Sequence, residues 1–163
     1  MLLLNEKMIR ASFVNASRKE VSDLNLPDEF AHIDWDSLDY LGWHDRKFGR
    51  RAYIVVPFDE GPVGILLTQA ETAPRARAQC SWCQDISRPN DVLFYSARRS
   101  GAAGRRGDTV GTLLCADFEC SENVRRQPRE AYLGFDVEAA RTQRIDALRT
   151  RAAGFAADLR DGD

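Results

Sequence analysis

Four cysteines, the only ones in this chain of 163 residues, constrain its fold more than any other feature. They form two pairs, Cys80-Ser-Trp-Cys83 and Cys115-Ala-Asp-Phe-Glu-Cys120, with residues 84–114 between them. One pair can hold a metal ion from a tight turn, and a second pair can complete a tetrahedron of thiolates. The spacing therefore predicts one structural Zn²⁺ ion bound by Cys80, Cys83, Cys115 and Cys120. Four thiolates leave no open position for a catalytic water.

Two other uses of the cysteines have to be weighed against zinc. Two disulfides would require an oxidising compartment, and a redox Cys-x-x-Cys site would not need the second pair. After Met-Leu-Leu-Leu the chain turns polar at Asn5, so we expect no secretory signal. No run approaches 18 apolar residues, so we expect no membrane span either. These observations favour zinc and a cytoplasmic location.

The segments around the cysteines predict the kind of zinc fold. Residues 92–96 and 110–114 alternate as strands on either side of a Gly- and Arg-rich connection. Cys120 opens a short helix that ends before Pro128. A knuckle, a hairpin and a helix carrying the last ligand follow the order of a treble clef, which we place at residues 80–127.

Three stretches carry a family resemblance: the Cys80-Ser-Trp-Cys83 motif and residues 101–111 and 115–125. Together they resemble the treble-clef domain of the elongation-factor-G-binding proteins, which include the FusB-type fusidic acid resistance proteins. The segments at 13–15 and 35–43 are similar to the short, single-domain branch found in actinobacteria. The third ligand is a histidine in the resistance proteins, whereas Cys115 stands there in this chain.

The resemblance implies what the protein does. It implies one domain of this family over residues 1–163, with the zinc finger inside it. It also implies that the protein binds elongation factor G, on or off the ribosome, and promotes its release when it is stalled. The sequence contains no phosphate-binding loop, dinucleotide fingerprint or spare cysteine, so we expect no enzymatic activity.

The rest of the chain predicts an α+β fold, a small antiparallel sheet with flanking helices. We expect a first helix at 5–18, with a possible restart at the Ser17–Glu20 capping box, and a hairpin at 51–70. Residues 71–79 would link this hairpin to the zinc knuckle. The predicted core residues are Phe13, Trp35, Ile54 and Phe155.

Two segments leave alternatives open. Residues 33–44 predict an amphipathic turn or helix, whose aromatic side chains could form a binding surface; we favour core packing. Residues 136–160 predict a helix capped by Asp136, with one apolar stripe formed by Ile145, Leu148, Ala152, Phe155 and Leu159. We favour packing of this stripe on the domain's own sheet over a dimer seam, and the oligomeric state stays open.

The connection at 98–107 contains four arginines and no acidic residue: Arg98, Arg99, Arg105 and Arg106. Its three glycines predict a mobile loop, and Arg125 and Arg126 could extend the basic patch. Such a loop is often only a solvated tip, and the arginines could also offset the negative charge of a zinc–thiolate site. Otherwise they suit carboxylates of elongation factor G or phosphates of ribosomal RNA. A net charge of −2 predicts no general attraction to nucleic acid, so RNA binding is the alternative function.

Overall fold

The computed structural model describes residues 3–72, 78–86, 91–128 and 132–161, and the described residues form an α+β fold. Its sheet is antiparallel and five-stranded, with the strands side by side in chain order. The elements are α1 (Glu6–Ser12), α2 (Arg18–Ser22), β1 (Leu41–His44), β2 (Arg51–Val56), β3 (Val63–Gln69), β4 (Val92–Arg98), α3 (Gly101–Arg106), β5 (Thr109–Cys115), α4 (Cys120–Arg125) and α5 (Val137–Asp161). Residues 73–77 of the predicted linker lie outside the described residues.

The first helix is shorter than the sequence predicts. Asn5 caps α1 as expected, by accepting a hydrogen bond from the Met8 amide, but the chain turns extended at Phe13. The reason is a tertiary contact, because Val14 N–H donates to the Gly64 carbonyl oxygen at 3.0 Å and joins this segment to β3. The chain then restarts as α2 at the predicted capping box of Ser17 and Glu20.

The aromatic segment at 33–44 is not a helix. A 3₁₀ turn at Trp35–Ser37 is followed by β1, in which Trp43 pairs with Tyr53 of β2. Pairing with β2 therefore overrides the helical spacing of the aromatic residues. The prediction of core packing is confirmed for Tyr40 and Trp43, which are buried, whereas Trp35 is half-buried.

Both faces of β2 are covered. Ile54 faces the main core, which also contains the four cysteines and the buried residues of α5. Tyr53 and Val55 face a second core, which is closed by the N-terminal segment. Burial on both faces explains why β2 is apolar almost without interruption. Of the four predicted core residues, Ile54 is fully buried and the other three, Phe13, Trp35 and Phe155, are half-buried.

The final helix closes the main core. Asp136 caps α5 by accepting a hydrogen bond from the Ala139 amide at 2.9 Å. The predicted stripe faces inward, with Leu148, Ala152 and Leu159 buried, together with Ala156. Packing on the protein's own core therefore accounts for the apolar face of this helix.

The expectation of a mobile loop at 98–107 is wrong, because residues 101–106 form the short helix α3. The helix is tied to the end of α5, where Ser100 N–H donates to the Leu159 carbonyl oxygen at 3.0 Å. Gly104 lies so close to the preceding strand that a Cβ atom would overlap the Arg99 carbonyl oxygen. Gly107 ends the helix with a φ of 97°, a conformation that favours glycine.

Candidate metal centre

Four cysteine sulfurs come together in the main core. Cys80 and Cys83 lie on a tight turn, Cys115 ends β5 and Cys120 begins α4. All four are buried, and their Sγ atoms lie within 4.8 Å of one another. The sulfur of Cys80 lies 3.6 Å from that of Cys120, and the sulfur of Cys83 lies 3.6 Å from that of Cys115.

The sulfur distances fit a metal ion and exclude two disulfides. A tetrahedron of sulfurs around Zn²⁺, with Zn–S bonds of about 2.3 Å, has edges of about 3.8 Å. A disulfide would bring two sulfurs to about 2.05 Å, and all four cysteines are free. The four buried cysteines fit the predicted structural zinc ion, and four thiolate ligands would leave it no open position for a reacting water.

Local backbone geometry presents each pair of ligands. Gln84 and Phe118 are the non-glycine residues of the described chain with positive φ, at 53° and 58°, and each lies in the turn of one cysteine pair. Gln84 N–H donates to the Cys80 carbonyl oxygen at 3.1 Å, which closes the first turn. Ser81 N–H donates to the Leu113 carbonyl oxygen at 2.8 Å and docks this turn on the edge of β5.

Hydrogen-bond donors surround the sulfurs. Asn123 is fully buried, and its Nδ2 atom lies 3.6 Å from the Cys115 sulfur and 3.9 Å from the Cys83 sulfur. The Trp82 amide donates to the Cys80 sulfur at 3.4 Å. Such donors disperse the negative charge of metal-bound thiolates and orient the ligands. The role of Asn123 was not predicted, although its place one helical turn after Cys120 puts both residues on the same face of α4.

The titration of the sulfurs reflects their mutual contacts. Hydrogen bonds from Cys115 and Cys120 lower the pKa of Cys80, whereas the contacts of Cys120 with Cys115 and Cys80 raise the pKa of Cys120. A bound Zn²⁺ would ionise all of its thiol ligands, so the sulfurs would no longer share protons through hydrogen bonds with one another. Burial raises the pKa of Tyr40, as does the neighbouring Cys120 sulfur, so the phenol stays neutral beside the metal centre.

Aromatic packing joins the metal centre to the rest of the protein. The Trp82 ring lies edge-on to Tyr40, at 4.9 Å between centroids, and to Phe155 of α5, at 5.7 Å. Arg151 of α5 also donates to the Trp82 carbonyl oxygen at 2.9 Å. The zinc turn is therefore a part of the main core and not a separate lobe.

Of the predicted contact arginines, those around α3 surround one pocket. Arg98, Arg99 and Arg105 line it, and Arg106 lies on the same short helix. Arg99 pairs with Asp158 at 3.0 Å, and Arg106 with its neighbour Asp108 at 3.4 Å. Arg105 is exposed and forms no ion pair within the described ranges.

Arg125 and Arg126 lie in a different part of the structure. Arg125 binds the buried Asp39 carboxylate with both terminal guanidinium nitrogens, and Arg149 binds the same carboxylate at 2.8 Å. Arg126 pairs with Glu122 on its own helix. Arg99 pairs with Asp158 of α5, and Asp39, the partner of Arg125, pairs with Arg149 of the same helix. Asp158 and Arg149 are separated by about 13 Å along the helix axis. The six arginines therefore do not form one patch.

We expect Asn123→Ala to lower zinc affinity by about 10- to 100-fold, because two ligands lose a hydrogen-bond donor. Competition with a chromophoric chelator measures this change, and the charge-transfer bands of the cobalt-substituted protein report the sulfur environment directly. Glu122→Ala, at an exposed position on the same helix, is the control. Equal zinc affinities in the two variants would show that Asn123 does not support the metal centre.

Comparison with known proteins places this metal centre in a family. A family model described as "FBP C-terminal treble-clef zinc-finger" matches residues 8–159. Among solved structures, the chain is similar to the fusidic acid resistance protein FusC, with 22% sequence identity and a TM-score of 0.56. The match covers 76% of this chain and 53% of the FusC chain, so the protein spans about half the length of that relative. At this identity the likeness shows a shared fold.

Two further findings complete the comparison. No curated protein matches the sequence. None of the helices formed by the described residues is long and apolar enough to cross a membrane. Because the family model matches residues 8–159 and the four cysteines form the expected centre, the chain belongs to the FBP C-terminal treble-clef zinc-finger family.

Proposed function

We propose that the protein binds elongation factor G and modulates its release from the ribosome. The observation that carries this proposal is the family match over residues 8–159. The structural likeness to FusC, which is described as a fusidic acid resistance protein, supports it. The protein would act as a non-catalytic binding module in the cytoplasm, as a metal centre closed by four thiolates suits a structural role.

In this proposal the zinc ion acts through the scaffold that it holds. Cys115 ends β5, the strand that follows α3, and Cys80 and Cys83 dock against the same strand. The exposed arginines at the other end of the β4–β5 hairpin are thereby held in a fixed position. We propose that Arg98, Arg105 and Arg106 contact acidic groups of the factor, since arginine binds carboxylates with two parallel hydrogen bonds.

The other three predicted contact residues are less exposed, with 23–26% of each side chain accessible against 52% for Arg98 and 63% for Arg106, and each has an ion-pair partner inside the protein. Arg99 pairs with Asp158, Arg125 with Asp39 and Arg126 with Glu122. Their guanidinium groups help to hold α5, β1 and α4 in place. We therefore propose that they support the contact surface, and that replacing them affects folding before it affects binding.

The direct test is titration calorimetry of the zinc-loaded protein against purified elongation factor G. We expect Arg105→Ala/Arg106→Ala to weaken binding by about tenfold or more, because each lost charge-assisted contact contributes about 1.5–3 kcal/mol. The corresponding lysine pair should restore only part of the affinity, and higher salt should weaken the wild-type complex. Stability should change by no more than about 0.5 kcal/mol, since both side chains are exposed.

Arg141→Ala provides the control, because Arg141 is a half-exposed arginine paired with Glu138 at the far end of α5. Release is tested separately, by following the dissociation of labelled elongation factor G from ribosomes with and without the protein. No binding by the wild-type protein would refute the proposal. Binding unchanged in the Arg105/Arg106 variant would place the interface elsewhere.

RNA binding is the second candidate function, favoured by the cluster of arginines around α3. A pull-down from cytosol with and without nuclease separates the two candidates. Elongation factor G retained after nuclease treatment supports the first function. The second function is supported if ribosomal RNA is captured and nuclease treatment abolishes the capture.

A further inference from the structure

A preformed pocket lies between the N-terminal segment and α3. Residues 14–17, which connect α1 to α2, form one wall, and residues 98–101 with Gly104 and Arg105 form the other. The volume of this cavity is about 210 Å³. Three arginines line it, and no acidic residue does.

Hydrogen bonds hold the two walls together. The buried Asn15 side chain donates from Nδ2 to the carbonyl oxygens of Leu66 and Arg98, both at 3.0 Å, and accepts from Leu66 N–H at 2.8 Å. The opposite wall is fixed by the close approach of Gly104 to the Arg99 backbone and by the bond from Ser100 to Leu159. The pocket is therefore a rigid feature of the fold.

The charges around the pocket are not balanced. Glu20 lies 4.0 Å from Arg98, beyond hydrogen-bond distance, and its carboxylate accepts from Ser17 N–H at 2.7 Å. Asp158 offsets Arg99 at 3.0 Å. Within the described residues, neither the Arg98 nor the Arg105 guanidinium donates a hydrogen bond to a protein group. Three cations thus face two carboxylates, and two guanidinium groups keep donors available.

We propose that this pocket binds a phosphate group. A phosphate carries up to two negative charges and at least three strong acceptor oxygens, so it can engage several guanidinium groups at once. A single bidentate arginine would satisfy both oxygens of a carboxylate, so a carboxylate would leave the donors of the other two arginines unused. The phosphate could belong to a small molecule or to the backbone of single-stranded RNA. The pocket shares Arg98 and Arg105 with the surface proposed to contact elongation factor G, and its binding of phosphate can be measured without the factor.

The test titrates the full zinc-loaded chain with inorganic phosphate at constant ionic strength, following the backbone amide resonances of Gly101 and Gly104. We expect saturable shifts with phosphate and much weaker ones with acetate. Arg98→Gln/Arg105→Gln should weaken phosphate binding by about tenfold or more. The matched control is Arg46→Gln/Arg141→Gln, which removes the same charge from one exposed and one half-exposed position outside the pocket.

Two results would overturn the proposal. One is the absence of saturable phosphate binding, or acetate binding of equal strength. The other is an equal loss of affinity in the control variant, which would indicate general electrostatics. Because no elongation factor is present in this titration, failure here leaves the proposed function untouched.

The same variants identify the source of the phosphate. A short single-stranded RNA that binds far more tightly than inorganic phosphate, and loses this advantage in Arg98→Gln/Arg105→Gln, supports an RNA backbone as the ligand. RNA that binds no more tightly per phosphate supports a small phosphorylated molecule. Either result supports a phosphate pocket.

Discussion

Cys120→Ser abolishes stoichiometric zinc binding and unfolds the zinc finger, which is the largest effect that we expect. Cys120 is fully buried, begins α4 and lies 3.6 Å from the Cys80 sulfur. In zinc-finger peptides the apparent free energy of metal binding, about 10–16 kcal/mol, is also folding free energy. Elemental analysis should show the loss of zinc, and thermal unfolding should show a strongly lowered midpoint.

Chelation of the wild-type protein is the matching control, and it should reproduce the lowered midpoint without any change of sequence. Cys80→Ser, Cys83→Ser and Cys115→Ser should behave in the same way, because each removes one of four equivalent ligands. Zinc retained at one ion per chain in Cys120→Ser would contradict the assigned ligand set. A disulfide in the purified wild-type protein would do the same.

Trp82→Ala destabilises the protein by about 3–5 kcal/mol, the second largest effect expected. Trp82 is 2% exposed, and its ring packs against both Tyr40 and Phe155. Removing the ring leaves a cavity between the zinc turn and α5, which the surrounding residues can fill only in part. Urea unfolding of the zinc-loaded protein measures the change in the free energy of unfolding.

Trp35→Ala is the matched control for this prediction. It removes the same ring from a half-buried position in the second core, where Trp35 packs edge-on to Phe30, so we expect a smaller loss. Equal losses in the two variants would refute the special role assigned to Trp82. Loss of stoichiometric zinc in Trp82→Ala would mean that the residue acts through the metal and not through packing alone.

The metal centre could be predicted from the sequence because its rules are local. Two short cysteine spacings, with strands and a helix between and after them, restrict the ligands to one set and one order. The cap of α5 and its buried face could be predicted for the same reason, since both depend on residues within a few turns of one another.

Features that depend on distant contacts could not be predicted. The first helix ends early because Val14 pairs with Gly64, and α3 replaces a loop because Ser100 bonds to the end of α5. Arg125 was expected on a contact surface, yet its partner is Asp39, which lies far away in the sequence. Local propensity and charge patterns contain no information on such pairings, and tertiary contacts override them.

Residues 39–44, which include β1, are joined to the segment that follows β5 by hydrogen bonds that involve side chains. His44 Nε2 donates to the Ala116 carbonyl oxygen at 2.7 Å, and Tyr40 donates from its hydroxyl to the Phe118 carbonyl oxygen at 3.3 Å. Asp39 N–H donates to the Ser121 hydroxyl at 2.9 Å.

During synthesis, β1–β3 leave the ribosome well before residues 116–121, which bind the segment around β1, and before α5, which covers the main core. Contacts so distant in sequence delay folding, and a nascent chain with uncovered apolar strands is prone to aggregate. The protein should therefore complete this fold only after α5 has been synthesised and has left the ribosome.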